Sequence, residues 1–174
     1  MSKLTPMNIT SPQQIAQFIK PLTQLLVNCV DKDSSIGFLP PLSNGDAKQY
    51  WKTVDDDLSS KNKLIFLATK GDDILGCVQL SLANKANALH RAEVEKLMVN
   101  KNSRGQGVAK KLMLALEQAA MLKNRSLLVL DTRKGDIASS LYKKLGYIIG
   151  GEIPSFTQSS EGELESTIYF YKLL

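Results

Sequence analysis

Apolar residues recur at helical spacing near the start of the chain: Ile15, Phe18, Ile19, Leu22, Leu25, Leu26 and Cys29 share one face of a 3.6-residue repeat. Thr10-Ser11-Pro12-Gln13-Gln14 ahead of them reads as a helix start, with a hydroxyl cap, an early proline and a glutamine to close a capping box. Pro21 is expected to kink or divide the helix. Gly37 to Asn44, with Pro40-Pro41, is a loop, and a second helix is predicted from Asp46 to Leu58. The pattern then changes. Lys63–Thr69, Gly71-Asp72-Asp73 and Ile74–Leu82 read as a β-hairpin, Asn84–Leu89 as a connection and Arg91–Val99 as a further strand. Val108, Leu112, Leu116 and Ala119 belong to a strongly apolar helix from Gly107 to Lys123. Ser126–Leu130 is a short buried strand and Asp136–Leu145 a helix. Tyr147–Ile149 and Glu165–Leu173 are two last strands, separated by a polar loop around Ser155–Gly162.

The predicted order is α-α-β-β-β-α-β-α-β-β. Strand–helix–strand through Arg91–Leu130 favours at least one parallel pair with a crossover, while the hairpin requires antiparallel pairing. The expected fold class is therefore mixed α/β (an α+β mixed sheet), with residues 1–174 forming a single domain, a length that can bury a core without staples.

Composition narrows the chemistry. Two cysteines, Cys29 and Cys77, and one histidine, His90, rule out a Cys/His zinc site built from this chain alone and disfavour Ser-His-Asp or Cys-His catalysis. No metal is expected. No apolar run approaches the ~20 residues of a membrane span, and Met1 to Thr10 lacks a signal h-region, so a soluble, reduced, cytoplasmic protein is expected. The net charge of +5 is unevenly spread. Six basic residues (Lys101, Arg104, Lys110, Lys111, Lys123, Arg125) face one acid, Glu117, in the middle of the chain. Glu152, Glu161, Glu163 and Glu165 occur late without a Lys or Arg from Gly150 to Tyr171. A phosphate-rich ligand at one place and a cationic one at another would explain this, as would solvated helix and loop surfaces. No basic stripe interleaves with aromatics, so nucleic acid is not an expected partner.

The most informative stretch runs from Glu95 to Ala109, where a strand ends, a glycine-bearing turn follows and a helix begins. Such a turn lets main chain approach a ligand, and its exposed N–H groups and the helix dipole favour an anion. Gly107 is followed by Val108-Ala109, which fails the P-loop pattern, and Lys110 stands where a dinucleotide fingerprint needs its third glycine. What remains is Arg-x-x-Gly-x-Ala over Arg104, Gly107 and Ala109.

With Leu97-x-Val99 ahead of it, that motif resembles the cofactor loop of the GCN5-related N-acetyltransferases. Ala138-x-x-Leu141-Tyr142-x-Lys144-Leu145-Gly146-Tyr147 is similar to the family's second signature, and the likeness covers Lys63 to Tyr147. Several stretches resemble the tabtoxin-resistance branch more narrowly, among them Ser35-Ile36-Gly37-Phe38, His90–Val99, Leu130-Asp131-Thr132 and Gly151-Glu152-Ile153-Pro154. Gly135-Asp136 stand where family members often carry an asparagine before the second signature. The resemblance implies the acyl-CoA N-acyltransferase fold: a central, mostly antiparallel sheet with one parallel pair, flanked by helices. It implies acetyl-CoA as cosubstrate, its diphosphate gripped by main chain from Arg104, Gly105, Gln106, Gly107, Val108 and Ala109, with Leu97, Met98 and Val99 alongside. The branch implies a small, amino-acid-like toxin or antibiotic as acceptor.

Acetyl transfer to an amine needs a base, because an alkylamine with a pKa near ~10.4 must lose its proton to attack. It also benefits from a proton donor at the leaving thiolate and a backbone N–H where negative charge develops. The resemblance makes Tyr142 the donor and Glu93 the leading base. Strand alternation projects Glu93 and Glu95 from the same face as Leu97 and Val99. Asp131, just past the buried strand, lies at a sheet C-terminal edge where α/β proteins collect ligands, and shares the candidacy for base. Each of these acids could instead be an ion-pair partner of Arg91, Lys96 or Arg133. Glu95 and Phe38 are candidate acceptor contacts, Phe38 through a loop, Ile36 to Leu39, that could cover the acceptor. His90 reads as a surface residue, Cys77 and Trp51 as core, and Asp55-Asp56-Asp57 as a solvated helix face. The expected function is acetyl transfer to the primary amine of a small molecule. Alternatives are a protein lysine or N-terminal acetyltransferase and a non-catalytic acyl-CoA binding module. The apolar tail strand Ile168–Leu174 is a candidate for pairing or swapping across a homodimer.

Overall fold

A computed structural model describes residues 6–9, 15–71 and 73–174. The helix-start motif Thr10–Gln14 lies outside the described residues. The elements are β1 (Pro6–Ile9), α1 (Ile19–Val30), α2 (Asn44–Ser59), β2 (Lys63–Lys70), β3 (Asp73–Leu82), β4 (Arg91–Val99), α3 (Val108–Leu122), β5 (Leu127–Arg133), α4 (Ala138–Lys144), β6 (Ile148–Gln158) and β7 (Leu164–Leu173). Pro21 sits in the first turn of α1, and the chain turns at Gln17-Phe18 just before it, so the proline divides the predicted helix. Helix α2 is capped by Ser43, whose side chain accepts from the Asp46 amide at 3.0 Å.

The strands form one seven-stranded sheet in the order β1-β2-β3-β4-β5-β7-β6. Neighbours are antiparallel except β4 and β5, the parallel pair expected from the crossover through α3. One face carries α3 and α4: Val108, Leu112, Met113 and Leu116 pack with Leu64, Phe66, Val78, Leu80, Ala92 and Val94. The other carries α1 and α2: Leu22, Leu26, Trp51 and Val54 pack with Ile65, Leu67, Cys77 and Met98. Strand β2 serves both cores, so it reads as a continuous apolar run.

Three expectations need correction. β1 is a strand that the sequence pattern did not reveal; it is four residues long and pairs with β2 at the sheet edge. The final hairpin is far longer than predicted. Residues Ser155–Gln158, expected in a loop, belong to β6, which is exposed along nearly its whole length and so shows no alternation to read. Finally, β7 is paired on both edges, with β5 and with β6, so the tail strand offers no free edge for pairing with another copy.

Candidate functional site

Two irregularities of the sheet create the site. The first is the divergence of β4 and β5. Their register holds only for Arg91–Glu93 against Leu127–Val129, although β4 runs on to Val99 and β5 to Arg133. Past Glu93, the β5-facing edge of β4 is left without a strand partner, so its main-chain groups are available to a ligand. The second is a β-bulge in β4. Cys77 pairs with Met98 and Gln79 with Glu95, so Lys96 and Leu97 together oppose Val78. Lys96 takes the left-handed conformation, φ 51°.

The bulge overturns one prediction. Strict alternation would send Glu93 and Glu95 to the same face as Leu97 and Val99, but one extra residue reverses the facing. Leu97 and Val99 pack with the α3 core, as do Ala92 and Val94, whereas Met98 joins the α1/α2 core. Glu93 and Glu95 therefore face the α1/α2 side, opposite to Leu97 and Val99.

Beyond Val99 the chain makes a 3-10 turn, Lys101–Ser103, and enters α3 through Arg104-Gly105-Gln106-Gly107. Gly107 is the N-cap residue in the left-handed region (φ 77°), and a Cβ on it would meet nothing within 4 Å. The amides of Gly105, Gln106 and Gly107 donate no backbone hydrogen bond to a described residue. With the first amides of the 15-residue helix α3, which begins Val108-Ala109, they form an open cup of donors at a positive dipole end. Lys101, Arg104, Lys110 and Lys111 are exposed around it. The Gln106 side-chain amide braces the turn, its Nε2 donating to Asn102 O at 2.9 Å, and Arg104 Nε lies 3.4 Å from Val99 O.

On the α1/α2 side, the structure brings Glu93, Glu95 and Asp131 together. Asp131 lies two residues beyond Val129, the register partner of Glu93, so both side chains leave the same face where the strands part. Asp131 was expected just past its strand; it is within it, opposite Tyr169 on β7, because β5 continues to Arg133. Its carboxylate lies 2.9 Å from the Thr167 hydroxyl, which is also 2.9 Å from Thr132 O. Glu93 is held above the usual carboxylate range, first by desolvation and then by the like charges of Glu95 and Asp131. Glu95 is engaged by Lys63, whose Nζ donates to it at 2.9 Å and also lies 3.4 Å from Asp57.

Tyr142 sits on α4 across the sheet, buried against Tyr147 and Phe170 at centroid distances of 5.9 and 5.7 Å. Burial, then the charges of Asp131 and Asp136, push its phenol well above 10, so it keeps its proton at neutral pH. The α1/α2 side is roofed by the α1–α2 loop. Phe38 packs edge-on to Tyr50 at 5.2 Å, and beside it lies a cavity of about 310 Å³ lined by residues that include Ser35, Gly37, Leu39, Arg133, Phe156 and Gln158. Arg133 is ion-paired with Asp33, Asp136 and Glu165. His90 is exposed; Cys77 and Trp51 are buried in the core; and Asp55–Asp57 stay on the α2 surface, Asp57 reaching Lys63. Among the described residues no group of three or more His, Cys, Asp or Glu side chains is arranged to hold a metal, and no helix is long and apolar enough to cross a membrane.

Sequence reasoning missed two site residues. Tyr169 on β7 faces the acid cluster, its phenol raised by burial and by Asp131 and Glu93, and it meets Phe156 edge-on at 5.8 Å. The aromatic alternation Tyr169, Tyr171 was the available signal. For Lys96 the available signal was the pair of consecutive polar residues, Glu95-Lys96, which breaks the alternation where the bulge falls.

A mixed sheet that splays beside a donor-rich helix entrance offers an anion cup next to an open strand edge, a class of site that suits a long phosphorylated ligand. The model of the acetyltransferase (GNAT) family matches residues 34–147, and the chain belongs to that family. It is an N-acetyltransferase using acetyl-CoA. Solved structures agree in fold. A ribosomal-protein-alanine N-acetyltransferase from Brucella melitensis superposes with TM-score 0.79 at 16% identity, over 97% of this chain and 99% of that one. A GCN5-related N-acetyltransferase from Kribbella flavida gives 0.77 at 16% identity, covering 98% of each chain. The yncA protein of Salmonella typhimurium, solved with its cofactor acetyl-CoA, gives 0.77 at 14% identity over 99% and 95%.

Proposed function

We propose that this chain works as a single domain that transfers acetyl from acetyl-CoA to the primary amine of a small, amino-acid-like molecule. The observation that carries this reading is the acceptor side itself. Three carboxylates, Glu93, Glu95 and Asp131, gather at the strand divergence, and a cavity of about 310 Å³ lies between the α1–α2 loop and β6, lined by none of the three but reaching Arg133, two residues along β5 from Asp131, and Phe38, whose ring faces Lys96 on β4. That volume suits a small molecule at the lower end of ligand-site sizes. An open surface would suit a protein chain better.

The residues on hand fit the carrier. Main chain from Arg104 to Ala109 would hold its diphosphate, because the amides of Gly105 to Gly107 have no backbone acceptor among the described residues and Gly107 leaves room where a side chain would intrude. The unpaired edge of β4 at Leu97, Met98 and Val99 would take the extended arm. Bound there, acetyl-CoA supplies an acyl group already activated as a thioester.

The protein's own part is proton management and positioning. Glu93, directly or through a water, accepts the proton that the ammonium must lose. Its raised proton affinity brings it closer to that task than an ordinary carboxylate. Asp131, fixed by Thr167, holds the amine in line and is the second candidate for the same proton. Tyr142 holds the proton for the departing sulfur; burial keeps it protonated until thiolate charge develops beside it. A toxin or antibiotic of the tabtoxin type is the acceptor that the branch resemblance suggests.

A screen of small amines against peptide N-termini and lysine peptides, reading free thiol released from acetyl-CoA, tests this. Turnover confined to small amines is the expected result. Turnover confined to peptides would refute it.

A further inference from the structure

The bulge that turns Glu93 and Glu95 toward the acceptor also delivers Lys96 to the same face. Its ammonium lies over two aromatic rings, 5.7 Å from the centroid of Phe38 and 5.8 Å from that of Tyr50. The main chain of the roofing loop passes close by: a Cβ on Gly37 would come within 3.3 Å of Lys96 Nζ.

Among the described residues the Lys96 ammonium has no ion pair and no hydrogen bond (its carbonyl oxygen accepts from Cys77 Sγ), which sets it apart from the other part-buried cations on this face. Lys63 is committed to Glu95 and Asp57. Arg133 is committed to Asp33, Asp136 and Glu165. Nor is Lys96 drawn into a pair with any of the acids: Glu95 is ion-paired with Lys63, and Asp131 takes its hydrogen bond from Thr167. Desolvation lowers its proton affinity, an effect that Glu95, Asp131 and Glu93 oppose without pairing with it. A desolvated ammonium steadied by π-faces, with its donors unspent, is a preorganised seat for an anion.

Resting on the small-amine reading above, we propose that Lys96 is a specificity-determining residue whose ammonium, held on Phe38 and Tyr50, binds the carboxylate of an amino-acid or dipeptide acceptor while that acceptor's amine lies among Glu93 and Asp131. Positive and negative groups side by side on one face match a zwitterion and discriminate against a plain amine. The amine alone would find the acids but leave Lys96 unpaired. A carboxylate without an amine would meet repulsion from the acid cluster.

Matched acceptor pairs differing only in the carboxylate test this: L-lysine against cadaverine, L-ornithine against putrescine, and L-tyrosine against tyramine. With wild-type enzyme and acetyl-CoA, the carboxylated member of at least one pair should show kcat/KM about tenfold or more above its partner. Lys96→Met keeps the stem and its ring contacts. It should raise KM for the carboxylated member by about tenfold or more while leaving the plain amine within about twofold, and Lys96→Arg should restore part of the difference. Should Lys96→Met not fold, competition by the N-acetylated amino acid on wild type replaces it: competitive inhibition that N-acetylated plain amine does not produce supports the seat, and equal inhibition by both overturns it. Equal loss for both members in Lys96→Met, or wild-type preference for the plain amines, also overturns the role of Lys96 while leaving the small-amine reading intact. Acetylation of peptides alone would overturn both.

Discussion

Gly76 offers the sharpest test of how the fold positions the cofactor loop. It pairs with Val99, the last residue of β4 before the loop. A Cβ built on Gly76 would lie 2.6 Å from the Met98 carbonyl oxygen, 3.1 Å from Val108 Cγ1 and 3.3 Å from Leu112 Cδ1. The nearest of these is main chain, so no rotamer change relieves it, and the others belong to the first turns of α3. Overpacking of this kind costs about 1–3 kcal/mol, and an obstacle made of backbone belongs at the upper end. The Gly→Ala change returns about 0.4–1 kcal/mol through the unfolded chain. Gly76→Ala should therefore lose about 2 kcal/mol, a fall in Tm of roughly 4–8 °C for a chain of this length. Relief of the clash must push β4 or α3 aside, and these two elements flank the donor cup. KM for acetyl-CoA should rise more than KM for the acceptor, read by thiol release at saturating second substrate. Gly71→Ala is the control: its φ is +59° and a Cβ there meets nothing within 4 Å, so only backbone strain of about 1–2 kcal/mol is expected, with both KM values unchanged. A Gly76→Ala protein that melted within about 1 °C of wild type with unaltered cofactor affinity would refute the reasoning.

Other consequences can be checked alongside. Tyr142→Phe removes a hydroxyl that has no hydrogen bond to a described residue, so stability and acetyl-CoA binding by calorimetry should hold while kcat falls about 10²–10⁴-fold; unchanged kcat would remove the donor role. The acidic limb of kcat/KM against pH should follow Glu93, with activity rising as it deprotonates above the ordinary carboxylate range. Glu95→Gln deletes a like charge that raises Glu93, so the limb should move to lower pH; movement to higher pH would contradict the assigned cause. Glu117 and Lys172 form a buried pair at 2.8 Å, and Lys172 Nζ also donates to Leu145 O at the end of α4, at 2.7 Å. Lys172→Met strands Glu117 and should cost about 3–5 kcal/mol in urea unfolding, whereas Lys172→Met with Glu117→Leu should recover most of it.

The glycine turn and its helix were legible because their chemistry is local: φ above zero, an uncapped helix entrance and flanking cations all lie within a few residues of sequence. The parallel pair was legible too, since a strand–helix–strand run has few ways to close. What stayed hidden depends on register. Alternation in β4 breaks at Glu95-Lys96, two polar residues in succession before the apolar run Leu97-Met98-Val99, but that break does not by itself announce that Lys96 and Leu97 will share one partner. Reading two-residue periodicity through it put Glu93 on the wrong face relative to Val99. β6 was hidden for the opposite reason: a strand exposed on both faces has no hydrophobic pattern to betray it, and Gly150-Gly151 and Pro154 mimic a loop.

The bulge and the divergence of β4 from β5 act on the same residues, and each makes the other useful. Divergence alone would open a slot with Glu93 and Asp131 at its apex, yet if Lys96 took its place in strict alternation instead of in a bulge, Met98 would leave the α1/α2 core for the α3 side and Leu97 and Val99 would take its place. The bulge alone would turn the acids toward the α1/α2 face but leave β4 zipped to β5, with no free main chain for a ligand. Together they let one strand serve two substrates. On the proposed reading its edge and the loop that follows take the carrier, its α1/α2 face presents Glu93 and Lys96 to the acceptor, and the reacting groups would meet where register with Leu127–Val129 ends. A deletion of Lys96 separates the side chain from the bulge. It lets Glu95, Leu97 and Met98 pair one-to-one with Gln79, Val78 and Cys77, so Glu93, Glu95 and Met98 keep the α1/α2 face and Leu97 and Val99 the α3 face. The deletion should therefore raise the acceptor KM as Lys96→Met does while acetyl-CoA binding holds; loss of acetyl-CoA binding in the deletion alone would show that the bulge itself shapes the edge that takes the carrier.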